Sequence, residues 1–348
     1  MNIIVLCGGL SNERDVSVSS GTQVTRALRE KGHKAVLVDL FFGYTGSYTD
    51  PKEVFDRPAD ETAFAVREQA PDLEAIRRSR KQQNDCLLGD NVIELCRAAD
   101  IVFLALHGDE GENGKLQATF DIHNIRYTGC GYLGSALAMN KSLSKQLFSQ
   151  HGIPTPAGIT VHRGETPYAN VGFPCVVKPC SGGSSVGTSI VADEKDYPAA
   201  LETAFRYEDA VIVEEYVRAR ELTVGVMDGE AMPVIEIIPK TGFYDYRNKY
   251  QADCTVELCP APITPEQTAR AQALALAVRE ALMLDVYCRV DMLFDEQADV
   301  MYCLEANTLP GMTPTSLIPQ AGRAMGLDFG DVCERIIAAS LRKYGVQA

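Results

Sequence analysis

The side chains best suited to chemistry in this sequence lie in one stretch near its C-terminal end, RVDMLFDEQADVMYCLEANTLPGMTPTS. Asp291 lies in an apolar run of strand character over 289–294, and Glu305 directly follows a second such run over 300–304. A hairpin formed by these runs brings Asp291, Glu305 and Asn307 to one end of a small sheet. Three oxygen-bearing side chains at one place suit Mg²⁺, a hard cation that bridges substrate phosphates. The sequence therefore predicts a magnesium site on this hairpin.

Arg289 adds a positive charge to the same predicted strand face, because it lies two residues before Asp291. In that position it can hold a negative charge that develops during a reaction. The alternative is a solvated hairpin with scattered acids. We favour the metal site, because Asp and Glu inside apolar strands are costly without a partner.

A glycine-rich loop at 179–187, PCSGGSSVG, joins two predicted strands and follows Lys178. Its glycines let backbone N–H groups approach phosphate oxygens, its serines add donors, and Lys178 supplies charge. The loop is neither a P-loop nor a dinucleotide-binding fingerprint, since the flanking pattern differs from both. By itself the loop is equally typical of a flexible hairpin turn. Together with a magnesium site it favours a nucleoside triphosphate as ligand.

Two further segments fit a nucleotide. Glu214, Tyr216 and Val217 form a strand end whose backbone can pair a base, and Glu221 can accept from ribose hydroxyls. A solvated acidic patch would have the same pattern, so this signal is weak by itself.

Lys141 and Lys145 are four residues apart on a predicted helix and therefore share one face. Such a pair is usually solvated. Here Lys141 is placed to reach back to a phosphate, which links this helix to the glycine-rich loop.

The elements that position these groups begin with a βαβ unit. A strand over 3–7 precedes a helix-like stretch that ends at Gly32, and a second strand follows over 35–40. Loops and short helices are predicted as an insertion over 41–97. Strand character returns over 101–106 and ends at His107.

The rest of the chain changes to antiparallel patterns. Helices are predicted over 133–151, 193–207, 264–284 and 330–344, and strands over 159–161, 175–178, 188–191, 210–217, 222–227 and 232–238. The fold class is an α/β N-terminal domain with a parallel sheet, followed by two α+β domains with largely antiparallel sheets. The predicted boundaries are 1–129, 130–212 and 213–348.

Length and composition agree with this division. A chain of 348 residues is expected to form two or three domains, and its net charge of −14 argues against nucleic-acid or anionic-membrane binding. Eleven cysteines without a CxxC pair indicate reduced core residues. The sequence lacks a basic signal region and an apolar span of membrane length, so we expect a cytoplasmic protein.

In combination, five motifs resemble the D-alanine–D-alanine ligase family of the ATP-grasp superfamily. They are GGLSNERDVS from Gly8, His107-Gly108 with GENG from Gly111, Lys178 with GSSVG, FYDY from Phe243 with Lys249-Tyr250, and LEANTLPGMTPTSL from Leu304. The matches run in order from residue 3 to about residue 320. The resemblance implies an ATP-grasp fold and the synthesis of D-alanyl-D-alanine for peptidoglycan precursors. The carboxylate of one D-alanine is phosphorylated by ATP, and the amine of a second attacks the acyl phosphate.

The resemblance also implies roles for residues that contact the amino acids. Glu13 would anchor the first ammonium group and form a hydrogen-bonded trio with Ser184 and Tyr250, and His107 would lie near this first substrate. Arg289 and the backbone N–H of Gly311 would form the oxyanion site. The second carboxylate would be held by Ser316 and the backbone of Leu317.

For ATP and its metals the resemblance implies a second set of residues. Two Mg²⁺ ions, with Mn²⁺ as an alternative, would be bound by Asp291, Glu305 and Asn307. Phosphate groups would be bound by Lys141, Lys178, Lys249, Ser184 and Ser185, and adenosine by Glu214, Tyr216, Val217 and Glu221.

An acyl phosphate hydrolyses if water enters, so a closing cover is expected over 181–187 and 240–256. The family usually forms a homodimer, and we expect one here. Asn113 and Asn140 stand where the family commonly has aspartates, and Thr315 where a histidine is frequent. Thr315 borders the second subsite, so this departure bears on the choice of second substrate.

Several alternatives remain. D-lactate is disfavoured as second substrate, because ligases selective for it carry a histidine in the cover and no histidine follows His162 here. D-serine is therefore the main alternative to D-alanine. A silent nucleotide-binding regulator and another ATP-grasp carboxylate–amine ligase are the remaining hypotheses.

Overall fold

The N-terminal sheet is parallel and has the order β2-β1-β3, from β1 (Asn2–Cys7), β2 (Lys34–Asp39) and β3 (Ile101–Leu104). A computed structural model describes residues 1–58, 71–81, 84–165, 171–183, 185–240 and 254–346. The central strand β1 and its neighbour β3 are almost wholly buried, as expected for parallel strands that are covered on both faces. Helix α1 (Arg14–Glu30) connects β1 to β2, which confirms the predicted βαβ unit.

The predicted insertion contains short helices, as expected. A 3₁₀ helix (Pro51–Asp56), α2 (Leu73–Ser79) and α3 (Val92–Ala98) lie between β2 and β3. After β3 the chain forms α4 (Asp109–Glu112) and α5 (Lys115–Ile122), neither of which the sequence pattern predicted.

The prediction of one continuous helix over 133–151 is wrong. The chain forms α6 (Tyr132–Met139) and α7 (Lys141–Gln150), and Asn140 between them has the extended conformation (φ −90°, ψ 97°). The Asn140 side chain accepts from the backbone N–H of Leu143 at 3.1 Å and so caps α7. A short amide side chain competes with the helical hydrogen bonds, and here that competition decides the local structure.

The central sheet is antiparallel and has the order β4-β7-β5-β6. Its strands are β4 (Gly158–His162), β5 (Cys175–Pro179), β6 (Ser189–Val191) and β7 (Ala210–Glu215). The helix predicted over 193–207 is shorter than expected: a 3₁₀ turn (Glu194–Asp196) leads into α8 (Tyr197–Ala204). Strand β7 spans the predicted boundary between residues 212 and 213.

The C-terminal sheet is also antiparallel, with the order β10-β9-β8-β11-β12. Its strands are β8 (Arg220–Met227), β9 (Glu230–Pro239), β10 (Thr255–Leu258), β11 (Tyr287–Asp295) and β12 (Val300–Asn307). The turn at Asp228-Gly229 is confirmed, and both residues have positive φ, as a tight hairpin turn requires. Residues 255 and 256 of the predicted cover lie in β10, and 241–253 lie outside the described residues.

The helices that follow join the ends of the chain. Helix α9 (Pro265–Ala281) begins with a capping box formed by Thr264 and Gln267, and α10 (Leu317–Ala324) and α11 (Phe329–Lys343) follow β12. Helix α11 packs on α1, and Lys31 lies 3.1 Å from Asp328 and 2.6 Å from Asp331. One apolar cluster therefore includes both the N-terminal sheet and the C-terminal helices. In the described ranges no helix is long and apolar enough to cross a membrane.

Gly21 tests how tightly α1 packs on the sheet. A methyl group there would lie 2.6 Å from the Cβ of Cys7 and 2.9 Å from a methyl of Leu37. Alanine gains up to about 1 kcal/mol of helix propensity, whereas overpacking typically costs about 1–3 kcal/mol. We therefore expect Gly21→Ala to lower the urea midpoint of unfolding. The control Ser19→Ala on the same helix should not lower it, and a stabilised Gly21→Ala would contradict the close approach.

Candidate active site

The predicted hairpin of β11 and β12 forms and places its polar residues on one face. Asp291 pairs with Glu305 and Arg289 pairs with Asn307, so these four side chains share one side of the sheet. A β-bulge follows, because Met292 pairs with Cys303 and leaves Leu304 without a partner. As a result the consecutive residues Leu304 and Glu305 both line the same cleft.

Asp291 is buried and fully engaged. Its Oδ1 accepts from the hydroxyl of Thr223 at 2.6 Å and from Nε of Arg289 at 2.9 Å. Its Oδ2 accepts from Arg289 at 2.7 Å and from the amide nitrogen of Asn307 at 2.9 Å. The side-chain nitrogen of Asn307 donates to Asp291, so the side-chain oxygen of Asn307 is the atom that suits a metal ion.

The donor set fits Mg²⁺, because Asp291, Glu305 and Asn307 offer only hard oxygen ligands on one face. Within the described ranges no three His, Cys, Asp or Glu residues form a metal-binding group. The candidate set consists of two carboxylates and one amide. Such a set suits an ion that keeps waters and shares phosphate oxygens, since it does not surround the metal by itself.

Lys141 connects the hairpin to the glycine-rich loop. Its Nζ lies 3.0 Å from Glu305 and donates to the carbonyl of Gly182 at 2.8 Å. Burial alone would lower the pKa of Lys141, but the charge of Glu305 outweighs it and raises this pKa. The side chain therefore stays cationic where the predicted phosphates would lie.

Glu214 lies between two lysines. Its carboxylate contacts Lys178 and lies 2.8 Å from Lys145. Burial would raise the pKa of Glu214, but Lys178 and Lys145 together lower it, so the carboxylate is ionised. Burial lowers the pKa of Lys145 despite this contact. The Glu214 side chain is thus occupied by lysines, and its backbone lies inside the central sheet, between β4 and β5.

Most of these groups line one cleft of about 460 Å³ between the central and C-terminal sheets. Arg289, Asn307 and Lys145 are not among its lining residues. This volume is in the usual range for a small-molecule site. Apolar side chains of Val176, Leu293 and Leu304 suit a flat base. The predicted residues that line the cleft are Lys141, Lys178, Ser185, Glu214, Tyr216, Val217, Glu221, Asp291 and Glu305. Ser184 and Lys249 lie outside the described residues.

A second polar site lies at the carboxyl ends of β1 and β3, where the strand order reverses and α/β sheets bind ligands. Glu13 follows β1 and His107 follows β3. A methyl group on Gly108 or on Gly183 would lie 2.7 Å from Oε2 of Glu13. Glu13 is therefore enclosed between the N-terminal sheet and the glycine-rich loop. Tyr250, the other predicted partner of Glu13 besides Ser184, is also outside the described residues.

His107 is a neutral part of a hydrogen-bonded chain. Ser20 Oγ accepts from the N–H of Met312 at 3.3 Å, so its hydroxyl hydrogen can donate to His107 Nε2 at 2.8 Å. This pattern assigns the proton to Nδ1, which donates to the carbonyl of Leu309 at 2.8 Å. Burial lowers the pKa of His107, although Glu13 opposes this, and the imidazole is neutral.

No sequence pattern assigns a role to Glu112, although it lies in the GENG motif. Its carboxylate accepts from the backbone N–H groups of Gly108 at 2.7 Å, Thr308 at 3.1 Å and Leu309 at 3.0 Å. Burial and the charge of Glu13 raise the pKa of Glu112 to about 7. The available signal was an acid within a glycine-rich segment of a short helix.

Gly311, Ser316 and Leu317 come together at the start of α10. Ser316 is the N-cap residue, and its Oγ accepts from the N–H of Thr313 at 3.1 Å. A methyl group on Gly311 would lie 2.8 Å from this oxygen. Backbone N–H groups at a helix N-terminus favour an anion such as a carboxylate.

The fold and the cleft define an ATP-grasp protein. Family models described as "D-ala D-ala ligase N-terminus" and "D-ala D-ala ligase C-terminus" match residues 2–130 and 147–338. The chain belongs to the D-alanine–D-alanine ligase family.

Individual relatives match over the whole chain. D-alanine–D-alanine ligases of Pediococcus pentosaceus and Lacticaseibacillus casei are each 42% identical to it; the matches cover 99% of this chain and 99% and 97% of the relatives. The crystal structure of the Bacillus anthracis ligase complexed with ATP has a TM-score of 0.76 at 29% identity and covers 99% of both chains. The VanG D-Ala:D-Ser ligase from Enterococcus faecalis has a TM-score of 0.73 at 26% identity, covering 98% of this chain and 100% of that one.

The raised pKa of Glu112 makes folding stability depend on pH. An acid whose pKa rises from 4.5 to about 7 on folding stabilises the protein below pH 4.5 and loses that contribution as pH rises through 7. Glu112→Gln lacks this titration. Its free energy of unfolding, relative to that of the wild type, should therefore increase as the pH is raised between these two values. The gain is up to about 3 kcal/mol, reduced by solvent screening because Glu112 is only partly buried. Urea unfolding at pH 5 and pH 8 measures it, and a constant difference would contradict the shift.

Proposed function

We propose that this protein uses ATP to join two D-alanines into D-alanyl-D-alanine for peptidoglycan precursor synthesis. The observation that carries the proposal is the convergence of three subsites on the segment 305–317. Glu305 faces the nucleotide cleft, Leu309 is bonded to His107 beside Glu13, and Ser316 begins α10. The relatives that match the whole chain carry the same activity in their names.

In the first step a carboxylate oxygen of D-alanine attacks the γ-phosphorus of ATP. A new O–P bond forms, the bond from that phosphorus to the bridging oxygen breaks, and ADP leaves. Glu13 binds the substrate ammonium and orients the carboxylate, together with Ser184 and Tyr250. Lys141 and Lys178 balance the charge of the phosphates, with Lys249, Ser184 and Ser185 completing this set.

The metal set of Asp291, Glu305 and Asn307 would hold two Mg²⁺ ions, with Mn²⁺ as an alternative. Bound there, the ions would offset the repulsion between the triphosphate and the attacking carboxylate. Thr223 and Arg289 orient Asp291 for this role, because each donates to its carboxylate. Glu214, Tyr216 and Val217 surround the adenine, and Glu221 accepts from the ribose hydroxyls.

In the second step the amine of the second D-alanine attacks the acyl carbon. A C–N bond forms, the C–O bond to phosphate breaks, and the amine releases its proton to solvent. Arg289 and the N–H of Gly311 stabilise the tetrahedral oxyanion, a role in which one donor contributes roughly 3–4 kcal/mol. Ser316 and the N–H of Leu317 hold the second carboxylate at the N-terminus of α10.

We also propose a homodimer in the cytoplasm that acts without nucleic acid or membrane. The dimer rests on the family resemblance. A cytoplasmic location agrees with the cysteines, since all eleven are free thiols and most are buried.

The identity of the second substrate distinguishes D-alanine–D-alanine ligation from D-alanine–D-serine ligation. Purified protein with Mg²⁺-ATP is expected to release ADP in proportion to D-alanine and to form the D-alanine dimer in preference to mixed products. D-alanine should be offered with D-serine and with D-lactate at equal concentration, and the products identified by mass. Preferred D-serine incorporation would assign the protein to D-alanine–D-serine ligation. ADP release without any D-amino-acid product would favour a regulator or a different ligase.

Glu305→Gln tests the metal set. The variant keeps the shape but removes one charge-bearing oxygen ligand, so Mn²⁺ affinity should fall at least about tenfold in the presence of ADP. Turnover should collapse, and the unfolding temperature should fall, because the buried Lys141 loses its ionic partner. Electron paramagnetic resonance of free Mn²⁺ measures the affinity without requiring turnover.

Asp299→Asn is the matched control, because Asp299 lies at the turn of the same hairpin and pairs with Arg270 on the surface. It should leave both Mn²⁺ affinity and turnover near wild type. Normal Mn²⁺ affinity in Glu305→Gln would remove Glu305 from the metal set.

A further inference from the structure

Glu112 connects two distant parts of the chain through backbone hydrogen bonds. One carboxylate oxygen accepts from Gly108, which follows β3, at 2.7 Å. The other accepts from Thr308 at 3.1 Å and Leu309 at 3.0 Å, which follow β12. The Glu112 carboxylate therefore connects the N-terminal part of the chain, which contains β1 to β3, to the C-terminal part, which contains β8 to β12.

Further contacts from the N-terminal part hold the same segment. His107 Nδ1 donates to the carbonyl of Leu309 at 2.8 Å, and Ser20 Oγ accepts from the N–H of Met312 at 3.3 Å. Backbone groups of residues 308–312 are thus hydrogen-bonded to the side chains of Glu112, His107 and Ser20. None of these three side chains belongs to the C-terminal sheet that precedes the segment.

This segment carries one group that acts in the second step of the proposed reaction and leads to another. Gly311 lies in it, and Ser316, the N-cap residue of α10, follows after residues 313–315. On the other side, Ser11 Oγ donates to the carbonyl of His107 at 2.6 Å and accepts from the N–H of Glu13 at 3.2 Å. The contacts that hold residues 308–312 therefore also fix them relative to Glu13.

A carboxylate suits this position better than an amide. It has two oxygens with lone pairs, enough for all three N–H donors, whereas glutamine would turn an NH₂ group toward one of them. Burial raises the pKa of Glu112, so the native fold holds this charge at a cost to stability. A side chain kept at such a cost in a well-formed site is better explained by function than by folding.

We propose that Glu112 is a positioning residue for ligation, which sets residues 308–316, and with them Gly311 and Ser316, at the correct distance from Glu13. This inference rests on the proposed ligase function. Glu112 acts through the backbone of Thr308 and Leu309 and does not need to touch either D-alanine.

The kinetic test compares Glu112→Gln and Ser20→Ala with wild type. Both should raise the KM for the second D-alanine and lower kcat for the dipeptide, each about tenfold or more, because a displacement of about 1 Å can reduce rates about a hundredfold. The KM for ATP should stay within about twofold of wild type. Hydroxylamine, which traps the acyl phosphate as a hydroxamate, should show a higher ratio of hydroxamate to dipeptide in both variants.

Gln117→Leu is the matched control. Gln117 is buried beside α4 and donates to the carbonyl of Gly111 at 2.6 Å, a contact within the N-terminal part. It should lower stability without changing the ratio of hydroxamate to dipeptide. A simple structural role of Glu112 would give the Gln117→Leu phenotype in Glu112→Gln as well, and that result would overturn the proposal.

Hydrogen exchange of the peptide covering 305–316, without substrates, gives a second test that is independent of activity. Exchange should be faster in Glu112→Gln and unchanged in Gln117→Leu. Unchanged exchange in Glu112→Gln would overturn the proposal even if activity fell. An inactive wild type would remove the ligase function itself and the positioning role with it. An active wild type with a normal second KM in Glu112→Gln would remove only the positioning role.

Discussion

Balance of charge in the cleft is the constraint on which the rest of the structure depends. Acids that can bind metals and lysines that can bind phosphates must lie within a few ångströms of each other before any ligand arrives. Glu305 is paired with Lys141, and Glu214 with two lysines. Such pairs avoid the large cost of an isolated buried charge. The lysines come from α7 and β5, and the acids of the proposed metal set come from β11 and β12. Under the proposed function, a triphosphate with its metals would enter between them and replace these ion pairs.

Small departures from regular secondary structure place these charges. The bulge after Asp291 turns Glu305 to the same face as Asp291 and Asn307. The break at Asn140 starts α7 at Lys141, whose backbone N–H then donates to the carbonyl of Cys180 at 2.9 Å. The beginning of the glycine-rich loop is therefore attached to the beginning of a helix. A continuous helix would place Lys141 differently, and a hairpin without the bulge would place Glu305 on the opposite face of the sheet.

The sequence predicted what depends on local pattern. The parallel βαβ unit, the antiparallel sheets and the hairpin of Asp291 and Glu305 all follow from periodicity and turn residues, and they form as expected. The break at Asn140 was missed because one capping side chain outweighed a strong helical pattern. Glu112 and Lys145 received no role, because their importance arises from contacts with residues 308–309 and 214, far away in sequence. Patterns within a short window carry no signal of such long-range pairs.

In the proposed reaction, Glu305, Gly311 and Ser316 all act on the reactants, and they lie in one sequence motif that spans the end of β12 and the residues after it. Acyl transfer requires these groups within a few ångströms of one carbon atom, and contiguous residues satisfy this with little freedom left to the chain. Contiguity fixes their mutual spacing but not their distance to Glu13, which lies after the first strand. That distance depends on contacts across the two parts of the chain: Lys31 with α11 at the outer edge, and Ser20, His107 and Glu112 at the centre. Under the proposed function, the reaction geometry is therefore set where the N-terminal sheet meets residues 308–316, and neither region supplies it alone.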